Sequence, residues 1–325
     1  MTEEAGSKSA PLPLLQLRAT DCKQGAVRAV RFNVDGAYCL SCGSDKSVKL
    51  WNPGSGTLLK AYVGHGFEVL DAAGSCDNST LASGGMDKTL FLWDVETGKS
   101  LRRLRGHAGF VNAVAFNEDS SLVFSGSLDS TLRAWDVRSR SMDPVQVMDE
   151  ATDSVTCISV SDHEIVAGSA DKRVRRYDLR EGMMYADFMA SPVTSVNFSR
   201  DGQCTLSSTM DSTVRLLDKE NGEMLAEYKG HRQAEYKLDS GLLATDAQVV
   251  SGSEDGKAYI WDLVEGKLLA RLPHPSLAAV HSLSPHPTKQ RLVTAQAHRI
   301  FLWVPEDDED EEGLPPHRDV PWDIS

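Results

Sequence analysis

Apolar and polar positions alternate in short runs along most of the chain. VRAVRFN (27 to 33), VNAVAFN (111 to 117) and VTSVNFS (193 to 199) each hold a period of two and lead into turn-forming residues, which predicts half-buried β-strands and no helix there. A second predicted strand then runs into small residues and an aspartate, as in LVFSGSLD (122 to 129), and turns directly into a third. In that third strand Val48 and Leu50 point one way while Lys49 and Trp51 point the other, because successive side chains alternate across a sheet. Apolar character on both faces requires a neighbour on both sides. A fourth strand, such as LLKAYVG (58 to 64) or SLRRLRG (100 to 106), completes the unit.

The unit recurs. Trp51, Trp93, Trp135, Tyr177, Leu217, Trp261 and Trp303 occupy one equivalent position at spacings of 42, 42, 42, 40, 44 and 42 residues. Seven units of four antiparallel strands predict an all-β, seven-bladed β-propeller. The last unit stops at its third strand, and an apolar strand without a partner, LLQLR (14 to 18), precedes the first.

Gly-His pairs at His65, His107 and His231, together with the Trp-Asp pairs at this period, resemble the WD40 repeat family over residues 14 to 304. The resemblance implies that the N-terminal strand supplies the missing outer strand of blade seven and closes the ring, which leaves no open blade. The expected organisation is a flexible segment 1–12, a propeller over 13–305, and a tail 306–325. Longer stretches, among them residues 21 to 53, 64 to 79, 160 to 180 and 198 to 239, resemble the mitogen-activated protein kinase organiser family of WD-repeat scaffolds. That resemblance implies a scaffold for members of the extracellular-signal-regulated kinase cascade or, alternatively, a protein-binding subunit of the spliceosome in pre-mRNA splicing. Both roles take proteins as partners, and the propeller itself is expected to be monomeric.

The polar repeat invites a catalytic reading. Asp45, Asp87, Asp129, Asp171, Asp211 and Asp255 each lie six residues before the Trp position, and Ser41, Ser83, Ser125, Ser207 and Ser251 four residues before five of them. A nucleophilic triad is a single exposed constellation, whereas this set recurs once per blade. No GxSxG is present. The WD40 resemblance implies instead a buried hydrogen-bond chain from Trp through Ser and His to Asp. Blades two, three and six are expected to carry it complete, as His65, Ser83, Asp87 and Trp93, then His107, Ser125, Asp129 and Trp135, then His231, Ser251, Asp255 and Trp261. Blade four, with Ala167 and Tyr177, is expected to be weak, so that losing Asp171 should cost less than losing Asp129. The candidate partner-binding residues flank these landmarks on one face: Phe67 and Phe110 after the His, Met86, Leu128 and Met210 before the Asp.

Composition narrows the function. A net charge of -13 at pI 5.1 disfavours direct nucleic-acid binding, which needs an excess of clustered cations, and favours basic partners over acidic ones. Seven of those negative charges form one run, EDDEDEE (306 to 312), expected to be disordered. No apolar run is long enough to span a membrane, and Glu3 and Glu4 stand where a secretory signal would be basic. The expected location is therefore cytoplasm and nucleus. Cys39 and Cys42 form a lone CxxC whose odd spacing puts the thiols on opposite sheet faces, so no zinc site is expected. GSEDGKA (252 to 258) falls one residue short of a phosphate loop and is expected to be the hairpin of blade six. His274, His281 and His286, set among prolines, are expected in loops and at the surface. The chain is thus expected to be non-catalytic and to use no cofactor.

Overall fold

The structure, a computed structural model, describes residues 14–306. The segment 1–12 and, beyond Glu306, the acidic tail lie outside the described residues. Among the described residues there are strands and no helix, arranged as seven four-stranded antiparallel sheets in a ring, a seven-bladed β-propeller. Blades one to six comprise residues 27–63, 69–105, 111–148, 155–188, 193–229 and 240–273, each running outward from the central channel in chain order.

Blade seven is the exception, and it closes the ring. Its inner three strands are Val280–Pro285, Leu292–Gln296 and Arg299–Pro305, and its outermost is the N-terminal strand Leu14–Asp21. Leu14 pairs with Pro305 and Asp21 with Arg299, with one bulge between Gln16 and Arg18.

The core is a series of seams between blades. Val48 and Tyr62 of blade one pack with Val69, Phe91 and Trp93 of blade two, while the other face of blade one packs Cys39 and Trp51 against Val293 and Leu302 of blade seven. Cys42 belongs to the first seam and Cys39 to the second, as the odd spacing of the CxxC predicts. The seams are tight near the channel. A Cβ on Gly84 would come within 2.4 Å of Val111 in the next blade, and one on Gly126 within 2.6 Å of Val155. Only a residue without a side chain lets the neighbouring inner strand approach so closely.

Polar ties stitch the inner strands together. The Val30 and Phe32 amides donate to the Ser282 and Ser284 hydroxyls across the closure seam, both at 3.0 Å. The Val114 amide donates to Asp71 at 3.1 Å, and the Asn112 amide group to the Val155 carbonyl at 3.0 Å. Arg31 spans the ring more widely, pairing with Asp71 of blade two at 3.0 Å and with Asp239, just before blade six, at 2.7 Å. Burial works against that guanidinium charge, but the two carboxylates outweigh it and raise its pKa.

Candidate partner-binding face

The turns between second and third strands gather on one face of the ring, with the loops that lead from each blade to the next. Each turn is set by its aspartate. Asp45, Asp87 and Asp129 accept the amides of Ser47, Thr89 and Thr131 two residues on, and the following Lys46, Lys88 and Ser130 take positive φ of 67°, 62° and 66°.

Blades two and three assemble the full chain of polar contacts. Trp93 Nε1 donates to Ser83 Oγ at 2.8 Å, Ser83 meets His65 Nε2 at 2.8 Å, and His65 Nδ1 meets Asp87 at 2.9 Å. Trp135, Ser125, His107 and Asp129 repeat this at 2.8, 2.8 and 3.0 Å. The carboxylate can only accept, so Nδ1 carries the proton and donates to it; Nε2 of the neutral ring is then the acceptor, and the serine, which accepts from the indole, donates to it. Every hydroxyl and ring nitrogen is committed to this tie, leaving no free nucleophile. Burial works against the Asp129 carboxylate, yet hydrogen bonds from Thr131, Ala108 and His107 hold its pKa well below the usual range.

Blade six departs from expectation. Its four residues are present, but Trp261 Nε1 donates to the Lys229 carbonyl at 3.1 Å, Ser251 to the Gly252 carbonyl at 3.1 Å, and Asp255 accepts the Tyr259 hydroxyl at 2.6 Å. Neither nitrogen of buried His231 has a hydrogen-bond partner. His231 precedes Ser251 by 20 residues where the pairs of blades two and three are separated by 18. The same separation of 20 carries the tie between His274 and Thr294 in blade seven, so spacing alone does not explain the loss.

Conversely, two blades carry substitutes that a search for Gly-His misses. In blade one Gln24 takes the histidine's place, accepting from Ser41 through Oε1 and donating through Nε2 to Asp45 at 3.4 Å, while Trp51 donates to Ser41 at 2.8 Å. A carboxamide offers an acceptor and a donor, as the neutral imidazole does. In blade seven Trp303 donates to Thr294 at 2.9 Å, Thr294 meets His274 Nε2 at 2.7 Å, and His274 Nδ1 meets the Leu272 carbonyl at 3.1 Å. His274 is therefore a structural tie and not a surface residue. His286 is likewise buried, edge-on to Phe32 at 5.1 Å, and half-buried His281 meets Tyr236 edge-on at 5.2 Å.

Blade four replaces the tie with an ion pair. Arg175 reaches Asp171 at 2.6 Å with both side chains almost wholly covered, and Asp171 also accepts the Thr152 amide at 3.0 Å. Asp171 therefore does more than expected. Its loss would strand a buried guanidinium, the costlier case.

The five candidate binding residues divide. Phe67 is 61% exposed, Leu128 49% and Phe110 36%, whereas Met86 and Met210 are half-buried. The Leu128 amide donates to the Phe110 carbonyl at 2.9 Å, which fixes those two side by side on blade three. The Met86 amide donates to Glu68, next to Phe67, at 2.9 Å on blade two, while Met210 is tied to Pro192 on blade five. Met86 also lines a cavity of about 220 Å³ at the channel mouth with Arg28, Asn112, Tyr236, Lys237 and His281. Exposed Tyr236, in the lengthened blade-six loop, was not among the sequence candidates. Its signal was the 44-residue spacing before Trp261.

One further cluster, His163, Glu164 and Asp178, has the donor types of a metal site. Its central carboxylate is already taken, since Glu164 pairs with Arg176 at 2.6 Å and with Lys219 at 2.8 Å.

Comparison with known proteins agrees with this geometry. The model of the WD domain, G-beta repeat, matches residues 14–52, and the β-propeller model of the Nucleolar protein 10-like N-terminal domain matches residues 65–247. WD repeat domain-containing protein 83 of Rattus norvegicus is 65% identical over 310 residues, covering 95% of this chain and 98% of that one. Its counterpart in Homo sapiens is 65% identical over 302 residues, covering 93% and 96%. A homolog of that protein in Dictyostelium discoideum is 35% identical over 308 residues, covering 86% and 94%.

Two predictions follow from the ties. Asp171→Ala should lower stability at least as much as Asp129→Ala, by roughly 3 kcal/mol against roughly 1 to 3 kcal/mol. Denaturant titration of the two variants decides the order. The second concerns pH. Burial lowers the pKa of His107 and brings His231, His274 and His286 down to about 4, below the 6.5 of the unfolded chain. The unfolded chain therefore binds more protons, and stability falls as pH drops from near 6.5 toward about 4. His231→Met, which mimics Met189 at the equivalent place beside Ser207, should flatten that fall by up to about 3 kcal/mol. Melting curves from pH 7 to 4 measure the slope, and an unchanged slope would remove His231 from the account.

Proposed function

Because the chain belongs to the WD40-repeat family and, within it, to the family of WD repeat domain-containing protein 83, we propose that it is a non-catalytic protein–protein interaction scaffold assembling members of a mitogen-activated protein kinase cascade of the extracellular-signal-regulated type. WD40 propellers generally mediate protein–protein interactions. The observation that carries the reading is the division of labour on one face. The Ser, His and Asp groups are consumed as internal ties, while Phe67, Phe110 and Leu128 stand exposed on the rigid turns and loops those ties hold. Exposed aromatic side chains on rigid loops are the material of hot spots. A scaffold of this kind needs no chemistry of its own. It raises the effective concentration of one bound kinase near its substrate. The resemblance in sequence to the kinase organiser family supports the signalling role, and cytoplasm with nucleus is the location proposed with it.

Replacing Phe67, Phe110 and Leu128 together by Ser should remove the principal partner in a pull-down while leaving the melting temperature within about 2 °C, since exposed side chains contribute little to folding. Mass spectrometry of cytosolic and nuclear captures reads the partner class. Kinases lost with the triple variant support the cascade role, loss of spliceosomal proteins alone would move the assignment to splicing, and an unchanged partner set would place binding elsewhere on the ring.

A further inference from the structure

In four blades the turn aspartate is followed four residues later by a cation that pairs with it: Lys49 with Asp45, Arg133 with Asp129, Arg175 with Asp171, and Arg215 with Asp211. Blade two has Phe91 at that position. Its cations sit instead on the turn and on the outer strand Ser100–Arg105, as Lys88, Arg103 and Arg105. They border a cleft of about 380 Å³ at the edge of the turn face, with Gly64, Gly66, Phe91 and His107 as further walls. All three are exposed, and among the described residues none has an ion pair. The Arg103 guanidinium lies over the Phe91 ring, 5.1 Å from its centre. The cleft's own carboxylate, Asp87, is already engaged by His65 and by the Gly66 amide, each at 2.9 Å.

The local charge thus runs against the net charge of -13. Three neighbouring cations repel one another when left uncompensated, and guanidinium forks match carboxylates in pairs. Phe67 adjoins the cleft beside Gly66, with the Lys46 ammonium 5.6 Å from its ring centre. We propose that this cleft on blade two, between its entering loop and its outer strand, binds an extended acidic segment of a partner protein, carboxylates on Arg103, Arg105 and Lys88 and one apolar side chain against Phe67. This rests on the turn face being the partner surface. Net negative charge on the rest of the chain argues against a long polyanion such as nucleic acid, whose binding needs cations in excess over a broad surface.

The test titrates the full chain into a fluorescein-labelled peptide of alternating Glu and Leu residues and follows anisotropy at two salt concentrations. The expected result is salt-sensitive binding that R103S/R105S weakens about tenfold or more, while R138S/R140S, an equal charge change in the loop after the third strand of blade three, stays within about twofold. Equal weakening by both pairs, or no binding by the full chain, would overturn the proposal. So would a gain of about fivefold or more on ending the chain at Pro305, which would give the cleft to the chain's own acidic run. The purified peptide also separates this proposal from the functional reading. If the Phe67, Phe110 and Leu128 triple variant keeps every cellular partner while R103S/R105S still loses the peptide, the functional reading falls and the cleft stands.

Discussion

A blade that is apolar on both faces is stable only between two others, so the constraint on which the molecule depends is closure of the ring. Blade seven achieves it by taking its outer strand from the opposite end of the chain, Leu14–Asp21 on Arg299–Pro305. The Val30 and Phe32 amides bonded to Ser282 and Ser284 then join the first blade directly to the last. Without that strand, Trp303 and its neighbours would face water on one side.

Closure also makes the turn face rigid enough to bind. Six of the turns are pinned through an aspartate: in blades one to three to a side chain from the loop entering the blade, and in blades four to six to a side chain of the third strand. The tie is not one fixed set of residues. His and Ser serve in blades two and three, Gln24 in blade one, Thr294 with a backbone carbonyl in blade seven, and a buried ion pair in blade four. In blades one to three the requirement is an acceptor and a donor bridging hydroxyl and turn aspartate, and both His and Gln meet it.

The repeat period made the fold legible before any coordinate, since seven equivalent aromatic or apolar positions about 42 residues apart admit few architectures. The closing strand was legible through the WD40 resemblance, which gave a meaning to the strand the seventh unit lacked and the unpartnered one at Leu14 to Arg18. The ties were legible only where residue type and spacing both held. His231 had the residue type without the contact, and Gln24 the function without the type. His274 was hidden among prolines that suggested a loop. The cleft at Arg103 and Arg105 was illegible for a different reason. Its meaning lies in the absence of a cation at Phe91, which shows only when four other blades are seen pairing theirs.

Ring closure is tested most directly by comparing melting temperatures of chains that lack residues 1–12 and residues 1–20. Removal of 1–12 spares the strand that pairs with Arg299–Pro305, and the account predicts an unchanged melt. Removal of 1–20 opens blade seven, and the account predicts a fall of at least about 5 °C with a broadened transition. Equal melting temperatures for the two chains would contradict it, because the ring would then be held shut by something other than its first strand.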